Sequence, residues 1–164
     1  IEVRSQRALM GIMDKTGPLH NPADRDHCAQ YVIAIGLIFG RLDARDYEDA
    51  VAADPRIDAL REKTTISEEP AYSEGFYDPQ RRTSANATQV SFRDGTQTPK
   101  VEVEYPAGHP RRRAEFMPTL QTKVRSSLAR RYVPARQAQI QALYDDPKRL
   151  DATAVDSFVD LLCP

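Results

Sequence analysis

Apolar positions recur along this chain with two different periods, and each predicts its own kind of element. Ile1 and Val3 alternate with Glu2 and Arg4, the two-residue period of a strand. Asn21-Pro22-Ala23-Asp24 then carries a helix start: Asn accepts as N-cap, Pro suits the first helical position, and Asp24 meets the positive end of the dipole. The pattern predicts one helix from Pro22 to about Phe39, polar in its first turns and apolar all round from Tyr31 onward, hence buried. Gly40 ends it. Asp43 with Asp46 reads as a capping pair for a short surface helix through about Val51, and Asp54-Pro55 opens another, with Ile57 and Leu60 on one face.

Thr64 to Ser67 reads as a short strand, and the Pro, Tyr, Ser and Gly of residues 70 to 85 as a loop. The clearest β signal is Ala87 to Arg93 and Thr98 to Tyr105, alternating on either side of Asp94-Gly95 as a hairpin requires. Beyond Pro106-Ala107-Gly108-His109-Pro110 the helical period returns, with Leu120, Val124 and Leu128, then Ile140 and Leu143, then Val155, Phe158, Val159 and Leu162. The expected fold is α+β: a helix packed on an antiparallel hairpin or sheet, followed by a helical C-terminal segment. The longest apolar run, Tyr31 to Phe39, falls well short of the ~20 residues a membrane-spanning helix needs.

Composition narrows the function classes. A chain of 164 residues can bury a core without staples. Its two cysteines, Cys28 and Cys163, lie far apart without zinc-type spacing, which points to a reducing cytoplasm rather than a disulfide framework. With 23 Lys and Arg against 24 Asp and Glu the chain is not a globally cationic nucleic-acid binder. The charge is uneven, however. Acids dominate from Asp43 to Glu69, whereas Arg111 to Arg136 holds eight cations facing only Glu115.

Two constellations could meet an anion. Arg25 and His27 sit with Asp24 and Asp26 at the start of the predicted helix, where backbone donors already favour negative charge; the plainer reading is that the two Asp complement the dipole and Arg25 pairs with one of them. His109, Arg111 and Arg112 leave the hairpin through a Gly/Pro turn and could clamp carboxylates bidentately, or could simply form a solvated basic loop. Nucleic-acid binding would want interleaved aromatics, and Phe116 is the only ring there before Tyr132. His20, His27 and Cys28 match no metal-ligand spacing, so no metal is expected. Patterns for acyl transfer, nucleotide hydrolysis and dinucleotide binding are lacking.

The stretches Gly17-Pro-Leu-His-Asn-Pro-Ala-Asp-Arg-Asp-His-Cys28, Asp46-Tyr-Glu-Asp49, Ala53-Asp-Pro-Arg-Ile-Asp-Ala-Leu-Arg-Glu-Lys63, Asp78-Pro79 and Val101-Glu-Val-Glu-Tyr-Pro-Ala-Gly-His109 closely resemble, in order, the MmgE/PrpD family. The resemblance is to the C-terminal third of its members. It fits a chain that begins at Ile1, without Met, directly in an apparent strand. It implies a small α+β lid-type domain over residues 1–110 and, over residues 111–164, helices that pack on an N-terminal helical domain absent from this sequence. The implied activity is that of a hydro-lyase, removing water from the tricarboxylate 2-methylcitrate to give 2-methyl-cis-aconitate in propionate breakdown, with no cofactor. Proton-transfer residues are then expected upstream, so no catalytic residue is assigned. Arg25, His27, His109, Arg111 and Arg112 are the candidates for substrate carboxylate contacts or interdomain latches. The alternatives are a related small-acid lyase, such as a cis-aconitate decarboxylase, or a non-catalytic binding or assembly module. By itself the chain is expected to be inactive, and its uncovered apolar faces to drive self-association into a homo-oligomer. One departure from the family is Phe116, where Gly is frequent; it would restrict a turn before Met117-Pro118.

Overall fold

The strand predicted at the start of the chain lies inside a sheet rather than at its rim. In the computed structural model, which describes residues 1–163, β1 (Glu2–Ser5) pairs in parallel with β2 (Thr65–Glu68) and antiparallel with β3 (Asn86–Gln89), and β3 pairs antiparallel with β4 (Val101–Val103). The order β2-β1-β3-β4 makes a mixed four-stranded sheet in an α+β fold. Val3 and Ser5 are buried and alternate with exposed Glu2 and Arg4, as the two-residue period requires. The chain divides into two compact units, residues 1–106 and 107–163 of the described chain.

In the first unit, α1 (Arg7–Met13) follows β1, and the helix expected from Pro22 to Phe39 is two helices, α2 (Pro22–Asp26) and α3 (Ala29–Phe39). Asn21 caps the first as expected, its side chain accepting from the Asp24 backbone. The chain then breaks at Cys28, whose extended backbone (φ −123°, ψ 106°) restarts the helix. Cys28 is fully buried at this break, and Arg25 before it and Ala29, Gln30 and Tyr31 after it are buried as well. Gly40 ends α3 in the left-handed region at φ 64°, where a side chain would be strained. The helix is not buried all round, because Leu37 remains 49% exposed.

A 3-10 turn over Ala44–Tyr47 comes next, with Asp43 and Asp46 forming the reciprocal capping box read from their spacing. It ends at Tyr47, and α4 (Asp49–Ala52) is separate from it. The turn is not purely a surface feature, since Asp46 is fully buried. Asp54 caps α5 (Pro55–Arg61), whose Ile57 packs with Tyr31, Ala34 and Ile35 of α3 in the main apolar cluster. The expected loop after residue 70 contains α6 (Pro70–Tyr77), with Pro70 at its first turn. Gly75 permits close packing there, because a Cβ would come within 2.6 Å of the Thr83 hydroxyl.

The hairpin forms with shorter strands than alternation suggested. A bridge from Ser91 to Gln97 continues it, and the Phe92–Gly95 turn is closed by the Gly95 N–H donating to the Phe92 carbonyl, with Gly95 at φ 87°. Val101 and Val103 are 65% and 42% exposed, on a strand that lies at the edge of the sheet.

The second unit is helical. A 3-10 turn over Pro110–Arg112 leads into α7 (Arg113–Ala129), followed by α8 (Pro134–Tyr144), α9 (Pro147–Ala152) and α10 (Val155–Leu162). Phe116 stands inside α7, not in a turn, and Pro118 also lies within the helix. Ile140 and Leu143 are the buried residues of α8. Tyr144 meets Phe158 edge to face, and the Tyr132 hydroxyl donates to the Leu162 carbonyl at 2.6 Å, tying α10 back to the start of α8.

Candidate functional site

Arg25 is the sequence-predicted residue that the fold treats most distinctively. It is buried, and its Nη1 donates to the Tyr47 carbonyl at 2.7 Å and meets the Asp49 carboxylate at 2.7 Å. Its ion-pair partner is therefore a residue of α4, not Asp24 or Asp26 of its own helix. Asp24 instead accepts from the His20 backbone and the Asn21 side chain, completing the helix start.

His27 does not join Arg25. It lies at the end of α2, exposed, and contacts its neighbour Asp26. Cys28 faces the interior, where its thiol lies within reach of the Lys15 carbonyl and Gln30 Oε1 as alternative acceptors. Among the described residues no group of three or more His, Cys, Asp and Glu side chains is arranged to hold a metal ion.

What the sequence reading missed is Arg61, at the end of α5. Its Nη1 meets Asp58 at 2.5 Å and its Nη2 donates to the Gly17 carbonyl at 2.8 Å, with the side chain 11% exposed. Its Nε is buried and finds no acceptor among the described residues. An orphaned N–H of this kind costs about 1–3 kcal/mol. The three-residue spacing from Asp58 to Arg61 on a helix was the available signal, but such pairs are ordinarily solvated.

Arg25 and Arg61 line one cavity of about 310 Å³, with Asp49 and Asp58 at its rim and Leu19, Tyr31 and Ala52 among its walls. Tyr31 is buried and its hydroxyl donates to the Asp46 carbonyl at 2.6 Å. Burial pushes its ionisation above the ordinary tyrosine value, with nearby Arg25 opposing, so it stands there as a neutral phenol. The acidic stretch from Asp43 onward is largely neutralised by arginines interspersed with it: Asp43 meets Arg45, Asp46 meets Arg41, Asp54 meets Arg56 and Asp58 meets Arg61.

In the second unit, His109 is the N-cap of the 3-10 turn, its Nδ1 accepting from the Arg111 backbone at 3.2 Å. Arg112 meets Glu115 at 2.9 Å and Arg111 is exposed. These three residues therefore belong to one local turn, a site of surface type without the burial seen at Arg25. Among the described residues no helix is long and apolar enough to cross a membrane.

Comparison with known proteins gives a consistent picture. Residues 1–146 match the model of the MmgE/PrpD C-terminal domain. The chain is 52% identical over 98% of its length to a 2-methylcitrate dehydratase of Cupriavidus necator and 48% identical to one of Escherichia coli (strain K12), in each case covering 33% of that protein. It is 46% identical to a mitochondrial 2-methylcitrate dehydratase of Yarrowia lipolytica, again over 98% of this chain and 31% of that protein. The chain thus spans about a third of the length of the curated relatives it matches.

Proposed function

The chain belongs to the MmgE/PrpD family, and from that membership we propose that it is the C-terminal third of a hydro-lyase converting 2-methylcitrate to 2-methyl-cis-aconitate and water. The observation that carries this reading is the 52% identity to the Cupriavidus necator dehydratase across 98% of the chain. The elimination needs a base to take the proton from a carbon beside a carboxylate, an acid to protonate the departing hydroxyl so that it leaves as water, and cations to hold the substrate's carboxylates.

In this reading the described chain supplies binding groups, and the proton-transfer groups come from a helical N-terminal portion. Arg25 is the strongest of the contact candidates, because its guanidinium is fixed and lines a cavity. His27, His109, Arg111 and Arg112 serve as further substrate carboxylate contacts or as interdomain latches. Residues 1–110 act as the lid, and the C-terminal helices pack on the helical portion. Val155 and Val159 of α10, 78% and 50% exposed, supply an apolar face for that packing. With that face uncovered, the isolated chain self-associates. Both cysteines are free, Cys28 buried and Cys163 exposed, which supports a reducing compartment such as the cytoplasm.

The test follows formation of the conjugated double bond by ultraviolet absorbance with 2-methylcitrate. The chain alone is compared with the chain mixed with an N-terminal portion of the Cupriavidus necator relative. Absorbance is expected to rise in the mixture only. Turnover by the chain alone would move the proton-transfer groups into these residues, and no turnover in either would refute the reading.

A further inference from the structure

The cavity beside α3 pairs two cations that are fixed with two anions that are not. The Arg25 and Arg61 side chains are 7% and 11% exposed, and each is anchored by a backbone carbonyl, of Tyr47 and of Gly17, independently of any carboxylate. Their partners Asp49 and Asp58 are 86% and 65% exposed and stand on the first turns of short helices, so either can rotate into water. Leaving the carboxylates in water spares each pair the cost of desolvating a second charge and keeps each carboxylate replaceable. Here only the cations are held. Arg61 also carries a buried Nε–H with no acceptor among the described residues, which is donor capacity that the internal partners leave unused.

We propose that this cavity is a binding site for a small polycarboxylic acid, whose carboxylates replace Asp49 and Asp58 on the guanidiniums of Arg25 and Arg61. The ligand class follows from the occupants the site already accepts, since carboxylate oxygens lie 2.7 Å and 2.5 Å from the two guanidiniums. Planar guanidinium forks suit such groups, and two forks lining one cavity favour an acid with at least two carboxylates. The volume of about 310 Å³ stands at the small end of the range for small-molecule sites, and Leu19 and Ala52 offer its walls to a short carbon skeleton. The two aspartates then act as internal competitors, occupying the cations until a ligand arrives. This site deepens the reading given under Proposed function and rests on it only for the identity of the acid.

The probe is propane-1,2,3-tricarboxylate, an unreactive tricarboxylate, titrated into the 164-residue chain while the arginine Nε–H resonances are followed by NMR, with sodium sulfate at matched ionic strength as control. Saturable shifts are expected at Arg25 and Arg61. The double variant Asp49→Asn with Asp58→Asn, which removes two exposed charges, should bind at least threefold more tightly because the competitors are neutral. Arg25→Gln and Arg61→Gln should each weaken binding at least tenfold. Absence of a saturable shift, an equal shift with sulfate, or an unchanged or lowered affinity in the double aspartate variant would each overturn the site. Binding without turnover in the mixed-domain assay would refute the dehydratase reading and leave the cavity standing, whereas turnover without binding would do the reverse.

Discussion

The guanidinium of Arg25 is buried against a backbone carbonyl, whereas that of Arg112, 37% exposed, meets Glu115 three residues along the same chain segment. Both residues looked alike in the sequence, each a cation near a predicted helix start. The environment of a charge, more than the local density of charge, decides what it contributes. A buried guanidinium has exchanged water for particular protein oxygens, so its removal leaves those oxygens short of a donor. An exposed one exchanges a protein partner for water at little cost and is screened by salt.

The sharpest test of that contrast is Arg25→Ala. It removes the donor to the Tyr47 carbonyl and should cost about 1.5–3 kcal/mol, the range for hydrogen bonds to charged groups. Asp49, already 86% exposed, needs no compensation. Urea denaturation followed by circular dichroism reads the cost, and a change within about 0.5 kcal/mol, the range of surface substitutions, would erase the distinction. Gly75→Ala probes an intermediate environment. A Cβ there would meet the Thr83 hydroxyl at 2.6 Å and Arg81 Nη2 at 3.2 Å. Arg81 is exposed and can yield, but Thr83 is buried and stiff at χ1, so a loss of about 1–2 kcal/mol is expected in the same denaturation assay.

Much of the framework was legible because it rests on local signals. Asn21 and Asp54 cap the helices they were read to cap, Asp43 and Asp46 form their box, Gly40 stops α3, and the hairpin turns at Asp94-Gly95. What was misread depends on contacts distant in sequence. Nothing between Pro22 and Phe39 announces a break at Cys28, whose buried thiol meets the carbonyl of the distant Lys15. Pro70 reads as punctuation but stands in the first turn of α6, and Gly75 reads as a loop residue but makes room for Thr83. The site divides in the same way. Arg25 was picked out by its motif, but its partners Tyr47 and Asp49 lie on later elements, and Arg61 was hidden in a stretch that reads as acidic.

Exposed pairs are also set apart by their response to pH. Hydrogen bonds from the Arg45 side chain and backbone hold Asp43 below the usual carboxylate range, and Arg56 does the same for Asp54. A carboxyl group whose folded value is depressed contributes stability that is fully present above its unfolded value, about 3.9 for Asp, and lost as pH falls through the folded value. Stability should therefore decline on acidification below about pH 4. The double variant Asp43→Asn with Asp54→Asn should flatten that decline while leaving the neutral-pH side of the profile with the same slope. Thermal unfolding across pH 2 to 7 measures it, and parallel acid limbs for the two proteins would show that these exposed pairs are not linked to folding.

The smallest effect belongs to the basic turn. Arg112→Ala removes a pair whose members are 37% and 64% exposed, and its cost in stability should stay within about 0.5 kcal/mol, shrinking further as salt is added. That near-silence makes the variant useful, because a change in function cannot then be attributed to unfolding. If Arg112 contacts substrate or latches the domains, Arg112→Ala should raise KM for 2-methylcitrate, or weaken the association of the mixed domains, at unchanged thermal stability. Arg112→Lys, which keeps the charge but loses the planar fork, should recover a latch that works by charge and fail to recover a bidentate carboxylate contact. Unaltered kinetics and association in both variants would leave the exposed cluster as a solvated surface and return the search for anion recognition to the buried arginines of the first unit.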